Sequence, residues 1–310
     1  MPDAKRFLLV WLDHRRSIDR ATISPIRRDI EDQVAGPPDE VEIDLWLESP
    51  GGDAHAAYKL AVLLRSVAST VRVVVPDYAK SAATLLALVG DEIYLAPSAD
   101  MGPLDAQMPD EGSFTGSISA LNIARAADEV ARDAVDMAVS GGADLLDITG
   151  LSRAQTIDAM LRFSAAFSEP LVRQLDPKVV HHAKQMLKVT AQYAQRLLDD
   201  AGNPNPGGIA RSLVETFPTH GYAITRSEAF DLGLPVHPLE EYEFADKVRE
   251  RHRAAEAGLG QIKFCSLDSF IDPPDETKTT PRSRKGGRTN GKTQEANGAD
   301  PATDAAKVGA

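Results

Sequence analysis

Three short strand-like segments alternate with helical segments between residues 41 and 95, and this alternation constrains the fold more than any other feature. Val41–Leu47 alternates apolar and acidic residues with a period of two, which is typical of a strand. Thr70–Val75 and Glu92–Leu95 are further strand candidates, and apolar helical segments cover Asp53–Ser66 and Ala82–Val89. Such an order requires right-handed crossover connections. The sequence therefore predicts an α/β fold with a mainly parallel sheet.

The segments on either side extend this pattern and favour one domain over residues 1–271. The other predicted elements are a strand at Phe7–Leu12, a helix from Ser24-Pro25 to about Val34, helices at Ala120–Val139, from Ser152 and at His181–Leu198, a strand at Phe217–Ile224, a short capped helix from Thr225 to Gly233, and a strand at Leu234–Val236. From Asp272 to Ala310 there is little apolar beyond alanine. Such a composition cannot offset its ordering entropy, so we expect a disordered polar tail over residues 272–310.

Charge and cysteine content exclude several classes of protein. The net charge of −12 and an aromatic content of 5% make a nucleic-acid partner unexpected. Cys265 is the single cysteine, so an intrachain disulfide and a thiolate zinc cage are excluded, and we expect no cofactor and no metal. No apolar run approaches the roughly 20 residues of a membrane span. The start of the chain lacks a signal-peptide pattern, so a cytoplasmic location is expected.

A glycine pair and a serine each stand where a predicted strand meets a helix. Ser49-Pro50-Gly51-Gly52 follows the second strand, and its glycines either point N–H groups at a ligand or serve a tight turn. Ser81, followed by two alanines, resembles a nucleophile elbow but could equally cap its helix.

A third loop, after the next strand, contains Asp105, which is either a site acid or a surface residue. Among the histidines, His55 follows the glycine turn and could face a cleft. His181 and His182 sit in a helix without a second ligand pair at metal spacing, so we interpret them as ordinary helix residues.

The order of these motifs is similar to that of the peptidases of the ClpP/crotonase fold. Within that group it most resembles the serine dehydrogenase proteinase family, relatives of the signal-peptide peptidase SppA. The resemblance runs from Val41 to Gln107 and resumes at Thr219–Thr225 and Leu232–Val236. It implies a ClpP/crotonase-type fold of repeated β-β-α and βαβ units, with a mainly parallel sheet and flanking helices.

The resemblance also implies roles for individual residues. Ser81 would be the nucleophile, with Gly51, Gly52 and the amide of Ala82 around the oxyanion. His220, on the predicted late strand, would be the base, and Asp105 would complete an exchanged triad. Lys80 is the alternative base, although adjacent residues at a helix start point apart.

The function expected from this resemblance is peptide-bond cleavage through an acyl-enzyme on Ser81, acting on a peptide or protein substrate. Two alternatives stay open: a non-catalytic assembly module of the same fold, and a crotonase-like acyl-CoA enzyme, which needs no serine elbow. By analogy with the fold, we expect a homo-oligomer without a direct membrane span.

Overall fold

The structure, a computed structural model, describes residues 4–109 and 117–271, which belong to one compact unit. The strands are β1 (Lys5–Leu12), β2 (Val41–Glu48), β3 (Thr70–Val75), β4 (Tyr78–Ala79), β5 (Glu92–Leu95), β6 (Asp100–Met101), β7 (Gln107–Pro109), β8 (Ser117–Ser119), β9 (Ile224–Thr225), β10 (Val236–Pro238) and β11 (Gln261–Ser266). The helices are α1 (Arg20–Gln33), α2 (Ala54–Val67), α3 (Ala82–Ala87), α4 (Ala120–Thr149), α5 (Arg153–Val172), α6 (Pro177–Asp200), α7 (Pro206–Glu215), α8 (Arg226–Asp231), α9 (Ala245–Ala254) and α10 (Leu267–Ile271).

A six-stranded sheet in the order β10-β5-β3-β2-β1-β11 forms the centre of the fold. All its neighbouring strands pair in parallel except β11, which runs antiparallel to β1. The central strands β1 and β2 are buried on both faces, as expected where helices cover both sides of a parallel sheet. This mainly parallel sheet with flanking helices confirms the predicted fold class.

A small second sheet, β4-β6-β9, brings together segments that are far apart in the chain. β4 pairs in parallel with β6, and β6 pairs antiparallel with β9. An isolated bridge between Ser49 and Ala79 joins the end of β2 to β4. Because β4 ends two residues before Ser81 and β9 begins four residues after His220, this sheet positions both at the carboxyl end of the parallel strands.

Several predicted elements were wrong in detail. The first helix begins at Arg20 rather than at Ser24, because Asp19 caps it by accepting from the Thr22 amide. Phe217–Ile224 is not a strand: only Ile224–Thr225 pairs, and His220 lies in a turn. The strand expected at Leu234–Val236 runs instead from Val236 to Pro238.

No helix among the described residues has both the length and the apolar content required to cross a membrane. The expected disordered tail, residues 272–310, lies outside the described residues.

Candidate active site

Ser81 has an unusual backbone conformation at the start of α3. Its φ of 50° and ψ of −115° make it the only non-glycine residue with positive φ in the described part of the chain. Its side chain makes no capping hydrogen bond to α3, so the interpretation of Ser81 as a helix cap is wrong. A strained serine at a strand-to-helix turn is the geometry of a nucleophile elbow.

The glycine turn packs directly against this elbow. The amide of Ser49 donates to the Tyr78 carbonyl at 3.2 Å, and the amide of Lys80 donates to the Ser49 carbonyl at 3.1 Å. Gly51 has a φ of +100°, and a Cβ atom there would lie 2.5 Å from the carbonyl oxygen of Lys80. Glycine is therefore required for this close approach.

The other side of the glycine turn is held by Ile18. The amide of Ile18 donates to the Gly51 carbonyl at 2.8 Å, and the amide of Asp53 donates to the Ile18 carbonyl at 2.7 Å. A Cβ atom at Gly52 would lie 2.3 Å from the Ile18 carbonyl oxygen. The turn is thus fixed between the elbow and the loop that follows β1.

The backbone amides expected around an oxyanion differ in whether they already donate a hydrogen bond within the protein. Ala82 is the first residue of α3, so its amide has no acceptor within that helix. The amide of Gly51 donates to the Ser49 hydroxyl at 3.2 Å. Ala82 and Gly52 both line the cleft described below, so their amides are the better candidates for an oxyanion hole.

A cleft of about 590 Å³ opens beside the elbow. Its wall combines the serine, the glycine turn and residues of α2 and α6. The residues that line it are Pro50, Gly52, Asp53, Ala54, His55, Ser81, Ala82, Leu85, Leu104, Ala106, Gln107, His182, Gln185, Met186, Val189, Thr190 and His220. Ser81 and His220 therefore line the same cleft, although they are far apart in the sequence.

His220 is held in the turn between α7 and β9. The amide of Tyr222 donates to the Thr219 carbonyl at 3.1 Å and closes this turn. The side chain is half-buried, and its Nδ1 atom is buried without a hydrogen-bond partner among the described residues. The imidazole thus faces the Ser81 cleft without a carboxylate on Nδ1.

Asp105 is a buried acid whose side chain contacts the start of α4. Its side chain is 2% exposed, and Oδ1 accepts from the Leu121 amide at 3.1 Å. Asp105 is not among the cleft residues, although its neighbours Leu104 and Ala106 are. This hydrogen bond anchors the Asp105 loop to the start of α4.

The Lys80 side chain is held by β6 and by the loop after His220. Its Nζ forms an ion pair with Asp100 and lies 3.5 Å from the carbonyl oxygens of Met101 and Tyr222. These partners belong to β6 and to the loop after His220. Lys80 thus cross-links the elbow to the segment that carries the histidine.

Two further histidines border the cleft. His55 lines it, as its position after the glycine turn suggested, and its Nδ1 lies 2.8 Å from the Tyr193 hydroxyl. His182 also lines the cleft, although its sequence context gave no reason to single it out. Only the path of α6 along the cleft reveals this placement.

Comparison with known proteins finds a family match over the segment that contains the elbow. Residues 26–141 match the family profile described as ClpP-like SDH-type serine proteinase. The resemblance to the serine dehydrogenase proteinase family is confirmed. The matched segment contains the glycine turn, the Ser81 elbow and the Asp105 loop, whereas His220 lies beyond it.

Curated relatives extend the similarity over more of the chain. The uncharacterised protein MJ0137 of Methanocaldococcus jannaschii is 28% identical over 204 residues, which cover 66% of this chain and 56% of that protein. The uncharacterised protein MJ1495 of the same organism is 26% identical over 213 residues, covering 67% and 58%. The chain therefore spans less than two thirds of the length of these relatives.

Solved structures of similar proteins include two mutants of the 1510-N membrane-bound stomatin-specific protease. One has a TM-score of 0.41 and 14% identity and covers 76% of this chain and 80% of that chain. The other, in complex with a substrate peptide, has a TM-score of 0.42 and 16% identity and covers 76% of both chains. A ClpP1 mutant from Listeria monocytogenes has a TM-score of 0.27 and 15% identity over 48% of this chain and 75% of that chain.

Proposed function

We propose that this protein is a serine peptidase that cleaves peptide bonds through an acyl-enzyme on Ser81. One observation carries the proposal: the only non-glycine residue with positive φ in the described part of the chain is a serine at a helix start beside a cleft. Strained backbone of this kind concentrates at functional sites, because it costs free energy that the surrounding structure must offset. The match to a serine proteinase family supports the same reaction class.

The first half of the reaction forms the acyl-enzyme. Ser81 Oγ attacks the carbonyl carbon of the scissile peptide, and His220 takes the hydroxyl proton. The amides of Ala82 and Gly52 stabilise the negative charge that develops on the carbonyl oxygen. The C–N bond then breaks, and the proton on His220 passes to the leaving amine.

The second half hydrolyses the ester. A water molecule loses a proton to His220 and attacks the acyl carbon, and the ester bond to Ser81 breaks as the serine regains its proton. His220 is the better candidate base because it lines the same cleft as Ser81. Lys80 is the weaker candidate, since its ammonium group is paired with Asp100.

A non-catalytic assembly module is the second candidate. It is favoured by the buried Nδ1 of His220, which has no hydrogen-bond partner among the described residues, and by the hydrogen bond from the Leu121 amide of α4 to Asp105. A triad needs a carboxylate on that nitrogen to orient the imidazole. Hydrolysis by Ser81 and His220 alone, without an acid on Nδ1, would also be consistent with these contacts of His220 and Asp105.

A fluorophosphonate probe tests the proposal without a known substrate. Native protein should be labelled on Ser81, and the label, located by peptide mass spectrometry, should be absent from Ser81→Ala. Ser98→Ala is the matched control, because Ser98 is an exposed serine in the turn after β5. Absence of labelling in native protein, or labelling that survives Ser81→Ala, would favour the assembly module.

The proposal also covers the partners. The substrate is a peptide or protein, since an acyl-CoA enzyme of this fold would not need the strained serine. We also propose that the protein acts as a homo-oligomer in the cytoplasm, as the sequence analysis predicts.

A further inference from the structure

A second cluster of ionisable side chains lies at the carboxyl edge of the large sheet. Glu48 is the last residue of β2, Asp77 follows β3, and His252 lies on α9. One potential ligand atom from each of the three lies within 4.8 Å of the others. None of them lines the Ser81 cleft, so the cluster is separate from the candidate active site.

Two buried atoms of this cluster, one on Glu48 and one on His252, require an explanation. Glu48 is 3% exposed, and its Oε2 atom is buried without a hydrogen-bond donor among the described residues. The Nε2 atom of His252 is likewise buried without a hydrogen-bond partner, and it lies 3.3 Å from this Oε2. The two atoms lie at ion-pair distance but form no hydrogen bond, and a buried carboxylate oxygen without a donor is costly, so both atoms point to a shared ligand.

The spacing and the chemistry of these donors fit a metal ion. For tetrahedral coordination with bonds of about 2.0–2.1 Å, neighbouring ligand atoms lie about 3.3–3.4 Å apart. The 3.3 Å between Glu48 and His252 matches this spacing. Glu256 Oε2 lies 4.0 Å from Nδ1, the other ring nitrogen of His252. Metal-binding histidines usually have a carboxylate on that side, which sets the ring orientation.

We propose that Glu48, Asp77 and His252 bind a divalent transition metal ion, with zinc as the best match. Two carboxylates and one imidazole suit zinc, whereas magnesium and calcium prefer oxygen ligands alone. Three protein ligands leave a fourth position for water. This site departs from the sequence-based expectation of no metal, which considered cysteine cages and paired histidines only.

The position of the ion gives it a structural role. Glu48 immediately precedes Ser49, and Asp77 immediately precedes Tyr78; these two neighbours are joined by a backbone hydrogen bond. The ion therefore clamps the start of the glycine turn to the strand that leads into the elbow. Binding of the ion does not depend on whether Ser81 is catalytic.

Zinc binding to the full chain tests the proposal directly. The protein is first treated with EDTA and dialysed. When zinc chloride is then added, one zinc ion should bind tightly per chain (the tight equivalent), as measured by titration calorimetry and elemental analysis. Glu48→Gln, Asp77→Asn and His252→Ala should each weaken that equivalent by about a hundredfold or more, since even outer-shell partners affect affinity 10–100-fold. Magnesium chloride should not compete for it.

The controls separate this site from other histidines. His237 forms an exposed pair with Glu241 at 3.6 Å, so His237→Ala should retain the tight equivalent. His182→Ala and Ser81→Ala should also retain it, because both residues lie in the cleft. Native protein without a tight equivalent, or Glu48→Gln with unchanged affinity, would overturn the proposal.

A melting experiment addresses whether the variants remain folded. Zinc should raise the Tm of EDTA-treated native protein by several degrees, because a ligand that binds only the folded state stabilises it. The Tm of Glu48→Gln should not respond to zinc, whereas that of His237→Ala should. A single cooperative transition in Glu48→Gln shows that the lost response is not caused by misfolding; an equal response in that variant contradicts the site.

Discussion

At the scale of single residues, the elbow depends on two backbone conformations that most residues avoid. Ser81 has a φ of 50° and Gly51 a φ of +100°, and the two are in close contact. Positive φ in a non-glycine residue costs about 1–3 kcal/mol. The hydrogen bonds of Ser49 to Tyr78 and Lys80 hold this arrangement in place.

We expect Gly51→Ala to disrupt the elbow. The new methyl group would lie 2.5 Å from the Lys80 carbonyl oxygen, and alanine disfavours this φ, so the free energy of unfolding should fall by about 2 kcal/mol or more. Gly221→Ala is the matched control, because open space surrounds a Cβ at that position. Urea unfolding checks both variants, and equal losses would contradict this account of the glycine turn.

Two substitutions at Asp105 test whether its carboxylate anchors its loop or acts as the acid of a catalytic triad. Asp105→Asn retains an oxygen for the Leu121 amide, so phosphonylation of Ser81 should stay within a few-fold of native. Asp105→Ala should destabilise the fold by about 1–3 kcal/mol, because a buried amide loses its acceptor. A drop of about 10⁴-fold in Asp105→Asn would instead identify Asp105 as the triad acid.

At the scale of elements, the sequence predicted those features correctly that depend on contacts between residues close together in the chain. The motif of Thr225 and Glu228 predicted a capping box, and the structure has both of its hydrogen bonds. The strand predicted at Phe217–Ile224 was wrong. This segment forms a turn instead, since Phe217 packs against Tyr222 with ring centroids 4.9 Å apart.

Long-range packing accounts for other misses. The predicted helix from Ala120 ended at Val139, before two glycines, yet α4 continues to Thr149. Gly141 sits under the Met160 side chain of α5, where a Cβ would lie 2.6 Å from the Met160 methyl carbon. Likewise, the sequence alone did not reveal β11 or its antiparallel pairing with β1. The candidate site shows the same difference between local and long-range contacts. The Ser81 elbow could be predicted from neighbouring residues, but the position of His182 in the cleft could not.

Acid should loosen the segment that follows His220. The Tyr222 hydroxyl donates to Glu228 at 2.6 Å, and this bond, with those from Thr225, lowers the pKa of Glu228. A carboxylate whose pKa is lowered in the folded state stabilises that state. This stability is fully present above the ordinary glutamate pKa of about 4.3, and it is lost as pH falls through the lower pKa of the folded state.

Glu228→Gln should therefore lose stability at neutral pH but differ less from native protein at acidic pH. Urea unfolding between pH 3 and pH 7 measures this difference. Glu129→Gln, at an exposed position on α4, is the matched control and should track native protein. A constant gap between Glu228→Gln and native across the range would contradict the assignment.

At the scale of the whole molecule, one edge of one sheet carries both proposed sites. The elbow and the Glu48 cluster both follow β2 and β3, where parallel strands end. The helical middle differs, because α4 and α5 leave several large apolar side chains exposed. These include Val135, Val139, Ile157, Leu161, Phe163 and Phe167. Exposed apolar patches of this kind mark interaction surfaces.

The expected homo-oligomer is tested by light scattering at micromolar concentration. Native protein should have a mass above that of one 33.3 kDa chain, and Leu161→Asp should reduce it, because a charge disfavours burial. Val62→Asp, at an exposed position on α2, is the control and should leave the mass unchanged. A monomeric native protein would contradict the expectation.

The central claim is that His220 activates Ser81, and the rate of Ser81 phosphonylation as a function of pH tests it most directly. Native protein should react faster as pH rises, because a general base must be unprotonated. His220→Ala should lose this increase of the rate with pH and react about a thousandfold more slowly or worse. Lys80→Met should keep the increase. If Lys80→Met abolishes the reaction and His220→Ala retains both the rate and its increase with pH, the base is Lys80 and the account is contradicted.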